Sequence, residues 1–231
     1  MDKYKIILFD LDGTLSDPKA GITKSVQYAL QKMNIVEPDI GKLECFIGPP
    51  IQVSFAEYYD FDEEASQKAI SYYRERFKAK GMFENELYSS IPFLLKSLKE
   101  QQFILVVATS KPTVFSEQIL KHFNIDHYFE LVVGSNLDGT RTSKTEIIQF
   151  ILEKYNKNKL EDFIMIGDRM HDIIGANNTG IDSIGVTYGY GSFEELNNVN
   201  PNYIVNSVVE LKNILLGSQV KQIHYCSSTN R

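Results

Sequence analysis

The chain has 231 residues, 43% of them hydrophobic, a net charge of −6 and a pI of about 5.3. Lys and Arg form no run, which excludes a nucleic-acid backbone or an anionic membrane surface as the main partner. No apolar stretch reaches the ~18 residues that a transmembrane helix needs.

The length and apolar content suffice for one sizeable core plus a smaller second unit. Met1–Lys5 leads directly into an apolar run, without the pattern of a signal peptide. The two cysteines, Cys45 and Cys226, are too few for a disulfide framework, so reduced thiols and a cytoplasmic location are expected.

The run Ile6-Ile7-Leu8-Phe9 predicts a strand buried on both faces. Asp10 and Asp12 follow where that strand gives way to a loop, and Gly13 lets the backbone turn. The period of two puts both acids on the same side. Their repulsion implies a cation between them or a shared proton. Ser16-Asp17-Pro18 starts a helix carrying Ile22, Val26, Ala29, Leu30 and Met33 at helical spacing. Residues 36–50 break that rhythm and end in the stiff loop Phe46-Ile47-Gly48-Pro49-Pro50. Helices are predicted over 52–59 and 62–80, and nothing between about 16 and 85 looks like a buried strand.

From about residue 88 strands alternate with helices. Ile91–Leu98 is an amphipathic helix. Phe103–Ala108 is a second buried strand, ending at Thr109-Ser110-Lys111-Pro112, and a helix over 112–123 follows. Glu130–Gly134, Phe163–Gly167 and Ser183–Thr187 are further strands. This alternation predicts an α/β fold: a Rossmann-like parallel sheet with helices on both faces. The last helix spans 207–216, with a capping box from Ser207 to Glu210. The predicted organisation is a core of residues 1–15 and 88–216, a helical insert over 16–87, and a polar, aperiodic tail over 217–231 expected to be poorly ordered.

Asp10, Thr109 and Asp168 each end a buried strand, so parallel strands bring them to one edge of the sheet, where ligands of open α/β folds bind. Ser143-Lys144-Thr145-Glu146 reads as a capping box that puts Lys144 in a first helical turn. The helix dipole disfavours a cation there, so a nearby anion is expected. Asp168 and Asp172 lie one helical turn apart. Taken singly, each has a plainer reading: the first two acids as a turn or half a calcium loop, Thr109 and Asp168 as helix caps, Lys144 as a surface lysine. As a set they suit a divalent cation and a phosphate.

These residues resemble the haloacid dehalogenase superfamily of aspartate-nucleophile phosphohydrolases over residues 4–216. Phe9-Asp10-Leu11-Asp12-Gly13-Thr14-Leu15 resembles its first motif, Thr109 its second, Lys144 its third, and Gly167-Asp168 with Asp172 its fourth. The insert resembles the C1-type cap of the phosphoglycolate phosphatase-like branch, and Ile47-Gly48-Pro49-Pro50 resembles a cap loop there. Leu137-Asp138-Gly139-Thr140-Arg141 and Gly189-Tyr190-Gly191-Ser192 resemble phosphoglycolate phosphatase and 5'-nucleotidase members.

The resemblance implies Asp10 as nucleophile and Asp12 as general acid and base. Thr109, the Ser110 N–H and Lys144 would hold the phosphoryl group. Mg2+ would sit on the Asp10 carboxylate, the Asp12 backbone carbonyl and Asp168, with Asp172 holding a bound water or Lys144. Gly48 and Pro49 are cap candidates for substrate contact. The implied substrate is a small phosphorylated metabolite: phosphoglycolate-like, a sugar phosphate or a nucleoside 5'-monophosphate. The implied assembly is a monomer or homodimer. A phosphomutase would use the same residues, and a non-catalytic binding protein would keep only the fold. A haloacid dehalogenase would leave Asp12 and the metal acids without a job. Phe46, Phe55, Tyr58 and Tyr59 are read as core of the insert rather than as a surface that stacks on a base.

Overall fold

The computed structural model describes residues 3–217. The tail expected to be poorly ordered lies outside the described residues, apart from Gly217. In chain order the elements are β1 (Ile6–Phe9), β2 (Ser16–Asp17), α1 (Lys19–Lys32), α2 (Ile51–Tyr59), α3 (Glu63–Ala79), β3 (Glu86–Leu87), α4 (Ile91–Glu100), β4 (Ile104–Pro112), α5 (Thr113–His122) and β5 (Leu131–Ser135). They continue with α6 (Lys144–Lys154), β6 (Phe163–Gly167), α7 (Met170–Thr179), β7 (Asp182–Val186), α8 (Phe193–Asn197), β8 (Tyr203–Val205) and α9 (Val208–Leu215). No helix among the described residues is long and apolar enough to cross a membrane.

Six parallel strands form one sheet in the order β5-β4-β1-β6-β7-β8. β1 is central: Ile6 lies opposite Ile104 on one side and Phe163 on the other. Its four side chains are fully buried because they alternate between two apolar clusters. Ile7 and Phe9 face the cluster that contains Leu94 and Leu98 of α4, Ile119 of α5 and Leu211 of α9. Ile6 and Leu8 face the cluster built on Ile147, Ile148 and Ile151 of α6 and Ala176 of α7. Burial on both faces is why the strand reads as a continuous apolar run.

Between β1 and β4 the chain builds the helical insert. Ile22, Val26, Ala29 and Leu30 of α1 are buried, facing α3 through Ala69, Ile70 and Phe77. Phe46 packs edge-on to Phe55 at 5.0 Å, and Phe55 stacks on Phe61 at 5.8 Å. The reading of Phe46 and Phe55 as insert core agrees with this packing, whereas Tyr58 is largely exposed at the rim.

Several expectations need correction. Residues 16–17 are extended and pair antiparallel with 86–87, a two-residue ribbon across the neck of the insert that is too short to leave an apolar run. The second core strand does not stop at Ala108. Its pairing shifts register between Ala108 and Pro112 and resumes to Pro112, carrying the polar stretch inside the strand. β8 escapes prediction because its partly exposed edge position leaves a short run. At α9 the Ser207 hydroxyl accepts the Glu210 N–H, but the Glu210 carboxylate accepts from Asn206 rather than Ser207, so the capping box is shifted by one residue.

Gly21, in the first turn of α1, allows the closest approach within the insert. A Cβ there would lie 1.9 Å from the Gly81 carbonyl oxygen. In an exposed helix Gly→Ala gains about 1 kcal/mol. Here Gly21→Ala must push two backbones apart and is expected to cost about 1–3 kcal/mol instead. A drop in Tm of about 2–4 °C per kcal/mol, measured by thermal unfolding, checks this. An unchanged or raised Tm would contradict it.

Candidate active site

The site lies where β1, β4 and β6 end. Asp10 directly follows β1, and its N–H is held by the Ile166 carbonyl at 2.9 Å. Asp168 directly follows β6. Ser143 and Glu146 form the reciprocal capping box expected from the sequence, which fixes Lys144 as the first residue of α6. Asp172 lies in the first turn of α7, where one carboxylate oxygen accepts the Arg169 N–H at 3.1 Å.

Lys144 gathers these groups. Its Nζ stands 2.7 Å from Asp10 Oδ1, 2.5 Å from Asp172 Oδ1 and 2.8 Å from the Ala108 carbonyl. Two ion pairs and one hydrogen bond thus surround the ammonium. Burial pushes the Lys144 pKa down, but Asp10 and Asp172 together outweigh it, and the net shift is upward. Lys144 is therefore charged at neutral pH, buried among anions rather than solvated at the surface.

Oxygen atoms of Asp10, Asp168 and Asp172 all lie within 4.8 Å of one another. Asp168 accepts the Tyr190 N–H at 2.8 Å, and the Thr14 hydroxyl lies 3.4 Å from its other oxygen. Among the described residues it forms no ion pair. Burial, then the charges of Asp10 and Asp172, push its pKa well above the usual carboxylate range. Gly13, at φ +81°, lets the chain pass so close that a Cβ there would lie 2.1 Å from Asp168 Oδ2. With all three ionised, these carboxylates against one ammonium would carry a net charge of −2. A hard divalent cation with oxygen ligands fits that donor set.

Asp12 stands apart from this cluster. Its Oδ2 is 2.7 Å from Lys111 Nζ, and Oδ1 is buried without a hydrogen-bond partner among the described residues. Burial raises its pKa and Lys111 opposes the rise. The spacing of Asp10 and Asp12 suggested a cation or proton between the two carboxylates. The two carboxylates face different lysines, Asp10 facing Lys144 and Asp12 facing Lys111.

Asp10, Asp12, Thr109 and Ser110 border a cavity whose other wall comes from the insert, including Gly48 and Pro49. The structure thus brings together Asp10, Lys144, Asp168 and Asp172, with Asp12, Thr109, Ser110, Gly48 and Pro49 around the same cavity. Sequence reasoning overlooked Lys111, Arg169 and Tyr190. The available signal for Lys111 was its place two residues after Thr109 at a strand end. The signal for Tyr190 was a tyrosine between two glycines. Arg169, next to Asp168, passed as an ordinary charge.

A parallel sheet that converges acids and a buried lysine at its carboxyl edge, with a helical insert after the first strand, is a Rossmann-like α/β architecture with its site at the strand ends. The chain belongs to the haloacid dehalogenase-like hydrolase family, whose profile matches residues 7–186. A 5'-nucleotidase of Pseudomonas aeruginosa is 47% identical over 92% of this chain and 96% of its own length. A phosphoglycolate phosphatase of Colwellia psychrerythraea is 28% identical over 91% and 96%. A crystal structure described as a predicted phosphatase from Clostridium acetobutylicum is 56% identical, covers 93% of this chain and 99% of its own, and superimposes with a TM-score of 0.90.

The acid cluster predicts a pH dependence. Asp172 is pushed up to about 6, first by burial, and Asp168 is also raised. A carboxyl whose pKa is raised by folding holds its proton in the folded chain where the unfolded chain has lost it. That contribution is full below the unfolded pKa and is lost as pH rises through the folded one. With chelator present, stability should therefore fall as pH rises from about 4 through about 6, and millimolar magnesium should restore it at pH 7. Thermal unfolding at each pH, with and without magnesium, checks this. Coincident curves would place no cation at these acids.

Proposed function

We propose that the protein, a phosphatase of the haloacid dehalogenase-like hydrolase family, hydrolyses nucleoside 5'-monophosphates through an aspartyl-phosphate on Asp10. The observation that carries this reading is the contact of Asp10 with Lys144 at the floor of a cavity. A carboxylate nucleophile can approach an anionic phosphate only where fixed positive charge offsets their repulsion.

In the first step an Asp10 oxygen bonds to phosphorus as the bond to the leaving alcohol breaks, and Asp12 gives that alcohol its proton. In the second, Asp12 takes a proton from the water that attacks phosphorus. Inorganic phosphate leaves and Asp10 is regenerated. The place of Asp12 on the cavity wall beside Asp10 supports this role. Thr109, the Ser110 N–H and Lys144 hold the phosphoryl oxygens as charge moves onto them. Asp10, Asp168 and Asp172, with the Asp12 backbone carbonyl, would hold Mg2+. When bound, it supplies the charge shielding that Lys144 alone does not complete.

The insert over 16–87 acts as the cap on a core of residues 1–15 and 88–216, excluding bulk water from the cavity. Two observations support a nucleotide over a two-carbon phospho-acid. The insert wall offers Ile70 and Tyr73 together with the carboxamides of Gln52 and Gln67, a surface for a flat, uncharged, hydrogen-bonding group. The 5'-nucleotidase relative is also far more similar to this chain than the phosphoglycolate phosphatase. Screening phosphorylated metabolites for inorganic phosphate release tests the class. Transfer of phosphate between hydroxyls of a sugar phosphate, without release, would instead make it a mutase.

Asp10→Asn is expected to abolish turnover with the fold intact. Acyl-phosphate trapped on any other residue would refute the assignment. Asp12→Asn should cut kcat by about 10²–10⁴-fold. The loss should be larger for an alkyl phosphate, whose leaving group needs a proton, than for an aryl phosphate. Equal losses with chemistry rate-limiting would remove Asp12 as the acid.

A further inference from the structure

We infer that Arg169 is a positioning residue that holds the loop Ile47-Gly48-Pro49-Pro50 of the insert over the cavity, and that it thereby sets how tightly the substrate's leaving group is bound. The inference rests on the reading of that cavity as the substrate site.

The backbone of Arg169 is locked into the acid cluster. It follows Asp168 directly, and its N–H donates to Asp172. Its side chain then leaves the cluster and crosses to the insert. Nη1 donates to the Ile47 carbonyl at 2.7 Å, and Nε donates to Glu195 Oε1 at 2.8 Å. Glu195 is itself fixed. The same oxygen accepts the Met170 N–H at 2.9 Å, and the Ser192 hydroxyl caps the Glu195 N–H at 3.0 Å. One nitrogen of the guanidinium is thus aimed by a carboxylate and another holds a carbonyl of the opposite unit. A planar fork can do this and a single ammonium cannot.

The insert side is shaped to receive it. Ile47 is fully buried. Gly48 has φ +104°, and a Cβ there would meet Arg169 Cγ at 2.8 Å. The loop thus lies directly on the stem of the arginine. Gly48, Pro49 and Pro50 then line the cavity, and the two prolines stiffen the segment beyond the anchor. The phosphoryl-binding groups Thr109, Ser110 and Lys144 belong to the core and do not depend on this contact. Loosening it should weaken the grip on the leaving group and leave the grip on phosphate unchanged.

The test compares the full-length wild type with Arg169→Lys, Arg169→Met and Gly48→Ala. Gly48→Ala attacks the same contact from the insert side, so the test survives if one arginine variant folds poorly. For the nucleoside 5'-monophosphate turned over best, KM should rise about 10–100-fold, the worth of one charge-assisted hydrogen bond, with kcat changed less than about threefold. Inhibition by inorganic phosphate should stay within about twofold of wild type. Arg169→Lys keeps the charge beside Asp168 but loses the fork, so it should behave like Arg169→Met. Arg169→Met and Gly48→Ala combined should be no worse than either alone.

Hydrogen exchange should quicken in residues 44–52 of each variant and stay unchanged in β6. That readout needs no turnover, so it holds even if nucleotides prove not to be substrates. Rescue by lysine, a fall in kcat at constant KM, additive losses in the double variant, or unchanged exchange over 44–52 would each overturn the inference.

Discussion

Four buried carboxylates crowd one edge of a parallel sheet, and only two ammonium groups are there to meet them. Asp10 and Asp172 share Lys144, Asp12 has Lys111, and Asp168 has backbone and hydroxyl donors alone. Burying an uncompensated charge is among the most expensive things a fold can do, so this shortage dictates much of the local architecture. It explains why a lysine occupies the first turn of α6 against the helix dipole, and why the chain presses in at Gly13. It also explains why Tyr190 turns its backbone N–H onto Asp168. The remaining deficit of positive charge fits a hard dication with oxygen ligands.

The second constraint is access. Charged groups that stabilise phosphoryl transfer act most strongly where bulk water is excluded, and the core supplies only a floor. The insert provides the wall and is fastened at separated points. Arg74 of α3 donates to the Leu137 carbonyl at 3.1 Å, Phe77 packs on Phe115 at 5.7 Å, and Tyr190 hydrogen-bonds Asp17 in the neck ribbon. Lys111 belongs to both constraints, since its ammonium pairs with Asp12 and lies 4.5 Å from the Phe77 ring centroid. Charge compensation and closure are therefore mechanically joined.

What could be read from the sequence follows the range of the forces involved. β1 and β6 were legible because burial on both faces leaves an uninterrupted apolar run, and Asp10 and Asp168 because they stop those runs. Lys144 was legible through its capping box, a signal confined to four residues. Asp172 was found by helical spacing, but its membership of the acid cluster depends on where α6 and α7 pack. The split of Asp10 and Asp12 between two lysines was invisible, since Lys111 reaches Asp12 only through the register shift near the end of β4. Arg169 was missed for a related reason: its partners, Ile47 and Glu195, lie far from it along the chain on either side.

The central position of β1 has a consequence for how this chain comes into being. The first strand made is the one that needs both neighbours, and those neighbours are encoded after the whole insert and beyond: Ile6 pairs with Ile104 and Phe163. At about 5–20 residues per second, a ribosome takes roughly ten to thirty seconds to deliver the second partner. For that interval an apolar tetrapeptide with at least one open hydrogen-bonding edge stays attached to the nascent chain. The insert, whose contacts are mostly among its own residues, can form meanwhile. The order of synthesis thus favours a wall that exists before its floor, with the catalytic edge closing only when β6 arrives.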